Sequence, residues 1–202
     1  MTVHAVEDTR AKILHAALEV ISGNGYQGAS LKAIVDRAGI TKGALFHHFE
    51  SKQILGYTVV DEILHGMVRD IWLTPIADST DPIADFKGLF ANILKMIEDR
   101  PEILLVGCPL NNLAQEMSPI DEGFRERIEA VYDDWRKVVM RVFERGITTG
   151  NVRQDVRPDA VAAFLVATFA GMIGTAKNAQ SITIVRLSLA ACAGYLDSLT
   201  PH

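Results

Sequence analysis

Apolar residues recur along this chain at helical spacing and almost nowhere alternate as strand residues do. Ile13, Leu14, Ala17, Leu18 and Ile21 draw one stripe, the kind an amphipathic helix buries. Gly23 and Gly25 predict its end, because glycine commonly follows a helix. Ser30 stands where an N-cap belongs, ahead of LKAIVDRA, with Leu31, Ile34, Val35 and Ala38 on the inner face. Gly39 stops that segment, and Thr41 caps a very short one, KGALFHHF. Ser51 caps a long helix running from Lys52 to about Leu73. Asp81-Pro82 opens the next with a cap followed by proline at the first position, and Pro101 ends it. A short helix is expected after Pro109 and a long one from about Asp121 to Thr149. Pro158 starts an apolar helix, and Ser181 caps a last one reaching about Leu199. The pattern predicts an all-α chain of about nine helices. Short helices give way to long ones near Ser51, which predicts a first domain over residues 1–52 and a larger one over 53–202.

Composition confirms that such helices have a core to build. Of 202 residues, 49% are hydrophobic and 22% charged, a globular balance that excludes a disordered chain. Cys108 and Cys192 are too few for a disulfide framework and too far apart for a zinc site. The opening MTVHAVEDTR is acidic without an apolar stretch, so no signal peptide is expected there. Ala160 to Ala176 is uncharged but barely long enough to span a bilayer, and its small residues suit a helix buried between protein partners. No membrane partner is expected, and the cytoplasm is the expected compartment.

The net charge of −5 argues against nucleic acid until its distribution is considered. Six basic and five acidic residues lie through residue 52, a net of +1, so the remainder carries −6. Three short helices, the second and third separated by Ala38-Gly39-Ile40, describe a helix-turn-helix. A helix entering the major groove needs an N-terminus bare enough to approach bases and phosphates. Thr41, Lys42, Gly43 and Ala44 supply a hydroxyl cap, a charge and two minimal side chains. Lys42 suits a phosphate or a guanine edge, and the free N–H groups at Thr41 suit a phosphate oxygen. Ile40, Leu45 and Phe49 are expected to pack the helix down. His47, His48 and Lys52 could reach flanking phosphates. Ser30 and Lys32, at the start of the preceding helix, join them as candidate DNA contacts.

At these residues the chain resembles the tetracycline-repressor (TetR) family of bacterial transcription regulators. The resemblance is carried by Ile13 to Leu55, ILHAALEVISGNGYQGASLKAIVDRAGITKGALFHHFESKQIL. It is similar to the family order of helix, Gly-aromatic, Thr/Ser cap, Ile-Ala-x-x-Ala-Gly-Val, small-residue recognition helix, aromatic-x-His-Phe and Ser-Lys. The recognition helix is then Thr41, Lys42, Gly43, Ala44, Leu45 and Phe46. GCPLNNLAQEMSP, from Gly107 to Pro119, looks like a segment of one branch of the family. Two positions depart from the pattern. Phe46 stands where a tyrosine hydroxyl usually meets a phosphate and is expected only to pack, and Val35 replaces an alanine.

The resemblance implies a homodimeric repressor of double-stranded palindromic operator DNA, released by a small, largely apolar effector. It implies no catalysis and no cofactor or metal. It also implies that the last two helices pair with their mates as a four-helix bundle. Ala163, Ala167, Ala170, Gly171 and Gly174 offer a close-packing face there, as do Ala190, Ala191 and Gly194; an ordinary pair of buried helices within one chain would carry the same residues.

Other features have two readings. Gly23 to Gly28 matches G-x-G-x-x-G but follows a helix rather than a strand, and so reads as a turn. His47 and His48 point about 100° apart on a helix and cannot share one metal ion. Cys108, between Gly107 and Pro109, is either a sensor thiol at a helix start or a small packing residue. A thiol-switched repressor is therefore the alternative function; a helical enzyme or binding protein with a vestigial helix-turn-helix is another, although no catalytic motif is present. Asp133-Asp134 near Glu129 reads as a solvated helix face. Trp72, Trp135, Phe90, Phe143, Phe164, Phe169 and Met172 could line a ligand cavity or fill the core.

Overall fold

A computed structural model describes residues 3–201; Met1, Thr2 and His202, with the side chains of residues 3–7, lie outside the described residues, and so does that part of the expectation about a leader. The helices are α1 (Val3–Gly28), α2 (Leu31–Ala38), α3 (Lys42–His48), α4 (Lys52–Thr58), α5 (His65–Val68), α6 (Pro82–Asp99), α7 (Ile103–Val106), α8 (Pro109–Met117), α9 (Glu122–Thr149), α10 (Pro158–Ala179) and α11 (Ile182–Asp197). The described residues include no strand. Between α4 and α5 lies a π-helical segment, Val59–Leu64, and after α5 a second one, Arg69–Leu73, followed by a 3₁₀ turn, Thr74–Ile76. Thr58, His65 and Val68 at the joints keep helical backbone angles. The long helix expected from Lys52 is thus present in mixed winding. If it counts as one rod and the single turn α7 is set aside, nine helices stand among the described residues.

Caps fall where the sequence places them. Ser30, Thr41, Ser51 and Asp81 each accept the backbone N–H three residues on, at 3.0–3.2 Å, satisfying donors that a helix start otherwise leaves orphaned. Pro82 and Pro158 occupy first positions. The first helix does break at Gly25, whose φ of 73° and ψ of 163° are not helical, but one more turn follows to Gly28.

The described residues pack as two compact units, residues 3–67 with 109–129 and residues 68–108 with 130–201. In the first, α1 lies against α2, α4, Val59–Leu64 and α8. Ile13, Leu14, Ile34, Leu45, Leu55 and Phe124 are its most deeply buried large side chains. Packing groups more of the chain with the first three helices than helix length alone does. The reason is that the inner stripe of α1 is longer than α2 and α3 can cover.

In the second unit α11 packs on α6 and α10, around Phe86, Phe143, Leu165, Phe169 and Ile97. Lys87 pairs with Asp197 at 2.8 Å and Arg186 with Glu98 at 2.6 Å, joining α6 to α11 at the surface, where such pairs contribute little. The Arg145 guanidinium donates to the carbonyls of Ala77 and Ser79, and Asn151 to that of Thr80, holding the loop before α6. By length and composition α10 could cross a membrane; here Leu165, Val166, Phe169, Met172 and Ala176 are buried within the unit.

Gly56 is a point of closest approach. A β-carbon there would stand 2.6 Å from Tyr26 Cε2 and 2.7 Å from Phe124 Cζ, and both rings are buried. Gly56→Ala should therefore destabilise the protein by about 1–3 kcal/mol through overpacking; urea unfolding with an unchanged midpoint would contradict this.

Candidate nucleic-acid interface

The turn between α2 and α3 is built by Gly39, at φ 65° and ψ 37°. Only glycine reaches that left-handed region without steric cost. Its N–H donates to the Asp36 carbonyl, and the Ile40 N–H reaches back to Val35, each at 3.3 Å. The chain then leaves α2 through Ile40, which is half-buried. Thr41 Oγ1 accepts the Ala44 N–H at 3.1 Å, and Leu45 and Phe49 are buried as expected. Thr41, Lys42 and Gly43 are exposed, Ala44 is half-buried, and His47 is exposed.

Phe46 requires a correction. It was expected only to pack, but it is 42% exposed, and the Lys42 ammonium lies 5.7 Å from its ring centroid. The residue follows the buried Leu45 on a seven-residue helix with one inward side, so its ring is turned outward.

The basic residues of this region have very different surroundings. Arg10 makes a two-pronged pair with Glu62 at 2.5 and 2.6 Å, Lys12 pairs with Asp8 at 2.5 Å, and Lys32 with Asp36 at 2.6 Å. Arg37 pairs with Glu19. The Lys52 ammonium sits 4.6 Å over the Tyr26 ring and donates to the Gln27 carbonyl at 3.3 Å. Burial lowers its pKa. Lys42 has no carboxylate partner among the described residues, only the face of Phe46. The rings of His47 and His48 meet edge-on at 5.2 Å. Burial, then His47 and Arg10, push the His48 pKa down.

Two carboxylates missed by the sequence reading brace this region. Glu116 on α8 accepts the N–H groups of Tyr26 and Gln27, each at 2.8 Å, supplying the acceptors that the break at Gly25 removes. Asp121 caps α9 by accepting the Phe124 N–H at 3.0 Å, and it also accepts the Tyr57 hydroxyl at 2.8 Å and the Gln53 amide at 2.9 Å, both on α4. Those bonds, the backbone one first, hold the Asp121 carboxyl below its usual pKa. Burial, then Asp121 and Tyr57, push the Tyr26 phenol up to about 12. The expected helix start near Asp121 was the available signal for its cap; nothing local to Glu116 points 90 residues back to Tyr26.

The remaining candidates divide. Ala163, Ala167, Gly171, Ala190, Ala191 and Gly194 are exposed, Ala170 and Gly174 half-buried, and Phe164 and Leu187 are exposed beside them in sequence at 44% and 64%. Cys192 is buried and Cys108 half-buried, immediately before α8. Asp133 pairs with Lys137 at 2.6 Å and with Arg136 at 3.7 Å. Trp72, Trp135, Phe90 and Phe169 form one cluster, which Phe86 and Phe143 continue through the edge-on contact of Phe86 with Phe90 at 6.1 Å; Phe164 packs apart, with Tyr195.

The chain is matched by two family models. "Bacterial regulatory proteins, tetR family" covers residues 13–55, and "Tetracyclin repressor-like, C-terminal domain" covers residues 82–191. The HTH-type transcriptional repressor DhaR of Mycobacterium sp. (strain GP1) is 29% identical over 164 residues, 81% of this chain and 80% of that protein. Transcriptional regulator AcuR of Cereibacter sphaeroides is 26% identical over 165 residues, 82% of this chain and 74% of that one. A TetR transcriptional regulator from Chloroflexus aurantiacus J-10-FL superposes with a TM-score of 0.86 at 26% identity, over 98% of each chain.

Removing the Asp121 brace has a defined signature. Asp121→Ala should cost about 1 kcal/mol at neutral pH through the lost cap. Because the folded carboxyl titrates below its unfolded value, its stabilisation is full above the unfolded pKa and disappears as pH falls through the folded one. Wild type and variant should therefore converge in stability on acidification, as read by denaturation at neutral and acidic pH; a gap that persists in acid would contradict the assignment.

Proposed function

Because the chain belongs to the tetracycline-repressor family of bacterial transcription regulators, we propose that it is a ligand-responsive repressor that binds a palindromic operator as a homodimer. The observation that carries the DNA reading is the N-terminus of α3. Among the described residues its lysine has no carboxylate partner, while Arg10, Lys12, Lys32 and Arg37 are each paired with one and Lys52 is drawn onto Tyr26 and Gln27, so Lys42 is the cation left to project from α3. Gly43 supports the same reading. A β-carbon there would have Thr41 Oγ1 as its nearest neighbour, at 3.9 Å, so packing within the chain does not demand a bare position, and its bareness supports close approach of a phosphate or base. Residues 1–52 then serve DNA binding, with Ser30, Thr41, Lys42, Gly43, Ala44, Phe46 and His47 nearest the duplex. Lys32, His48 and Lys52 flank them, Lys52 less available than the rest.

Residues 53–202 serve regulation and dimerisation, in the cytoplasm where the operator lies. The exposed small residues of α10 and α11, with Phe164 and Leu187, support a face that a second copy covers. Gly171 and Gly194 leave open space where a partner helix can approach closely. Two recognition helices joined in this way would enter successive major grooves roughly 34–36 Å apart. A small, largely apolar effector acts by binding more tightly to a conformation in which that spacing is lost. A thiol response through Cys108 is a second reading, favoured by its half-buried position directly ahead of α8, the helix whose Glu116 holds Tyr26 and Gln27. An electrophile response that persists in Cys108→Ser removes it.

Selection of bound fragments from genomic DNA, followed by salt titration of the enriched site, tests the repressor reading. Lys42→Ala should weaken binding and lower the salt slope by about one per half-site, with the dimer and thermal unfolding unchanged; wild-type affinity would take Lys42 out of the interface. Ala167→Glu should yield a monomer by sedimentation and abolish operator binding at concentrations that saturate the wild type. A dimeric Ala167→Glu protein would place the subunit contact elsewhere.

A further inference from the structure

The repressor reading leaves the chemistry of its effector open, and an aromatic cluster within the second unit supplies it. Trp72 stacks on Phe169 at 4.4 Å with 26° between the planes, and its ring centroid is 4.9 Å from that of Trp135. Phe90 meets Phe169 edge-on at 5.4 Å, and Trp135 lies nearly parallel to Phe169, 19° apart at 6.3 Å. Trp135 is 3% exposed. Its indole Nε1–H is buried with no hydrogen-bond acceptor among the described residues, although buried indole donors usually have one and an unmet donor carries a desolvation cost.

Trp72 is the more exposed tryptophan of this cluster. It is half-buried and rides on the π-helical segment Arg69–Leu73, a rare winding frequent at functional sites. Stacked on Phe169, its ring fills the volume that another flat ring would take. The four rings bring no counter-ion, so an anionic guest would be desolvated without compensation; ring faces attract a cation, but a cationic group cannot accept a hydrogen bond. Trp135 offers one donor and no acceptor, so the complementary atom on a guest is an acceptor.

We propose that this four-ring cluster is the effector site, and that its ligand is a flat, uncharged, largely apolar molecule whose carbonyl-type oxygen accepts the Trp135 Nε1–H while its plane takes the place of Trp72 on Phe169. The proposal rests on the repressor reading for its consequence, release of the operator, but not for the binding itself.

The chain holds two tryptophans, both in the cluster, so a proton–nitrogen correlation spectrum of the wild-type protein carries two indole signals and both report on the site. The probes are methyl naphthyl ketone and ethylnaphthalene, matched in shape and differing in the oxygen. The ketone should bind about fivefold more tightly by calorimetry and move the Trp135 indole proton downfield, and the hydrocarbon should not. Trp135→Phe assigns the signal and should bring the two affinities together; if that variant does not fold, the wild-type comparison still decides. Equal affinities, no binding of either probe, or a downfield shift confined to Trp72 would overturn the site. Operator binding by the unliganded protein is measured separately on labelled DNA. Failure there sinks the repressor reading whatever the probes do, whereas operator binding with equal probe affinities sinks only the ligand site.

Discussion

A helix of seven residues does not form on its own in water, because nucleation costs more than one turn of hydrogen bonds returns. α3 exists because tertiary packing holds it: Leu45 and Phe49 are buried beneath it, Thr41 caps one end, and the Phe49 N–H closes the other on the Leu45 carbonyl. That anchoring leaves the outer residues free to stay small. A helix stabilised by its own propensity would need alanine and long charged side chains along its length, and these would stand between its backbone and a duplex. Burial of two side chains allows Thr41-Lys42-Gly43 to remain bare.

The same dependence runs backward through the unit. α3 packs on α2 and α2 on α1, and the end of α1 is held by Glu116, which replaces the hydrogen bonds lost at Gly25. Tyr26 packs edge-on against Phe124 at 4.6 Å, and Asp121 ties the start of α9 to α4 through Tyr57 and Gln53. Charged groups here therefore do two jobs. Carboxylates that accept backbone N–H groups set helix ends, while those paired with Arg10, Lys12, Lys32 and Arg37 neutralise the region and leave Lys42 uncompensated.

The second unit uses aromatic rather than ionic organisation. Its surface pairs, such as Lys87 with Asp197, are exposed, and its order comes from buried rings. Phe86 and Phe143 are completely buried. The Trp72 cluster differs in combining a half-exposed ring with a buried, unmet donor.

The sequence by itself determined where most of the helices start, the caps at Ser30, Thr41, Ser51 and Asp81, the turn at Gly39 and the family of the first fifty residues. Each of these rests on interactions between residues three or four apart, which composition and spacing record directly. It did not determine that Lys52 is drawn onto Tyr26, that Phe46 faces outward, or that the helix after Ser51 winds partly as π. It gave no sign of Glu116 reaching Tyr26, and it could not divide Phe164 from the rings that Trp72 joins. Those outcomes belong to the tertiary structure because they are set by partners tens of residues away. A buried aromatic at helical spacing reads the same whether its neighbours fill the core or leave a donor waiting.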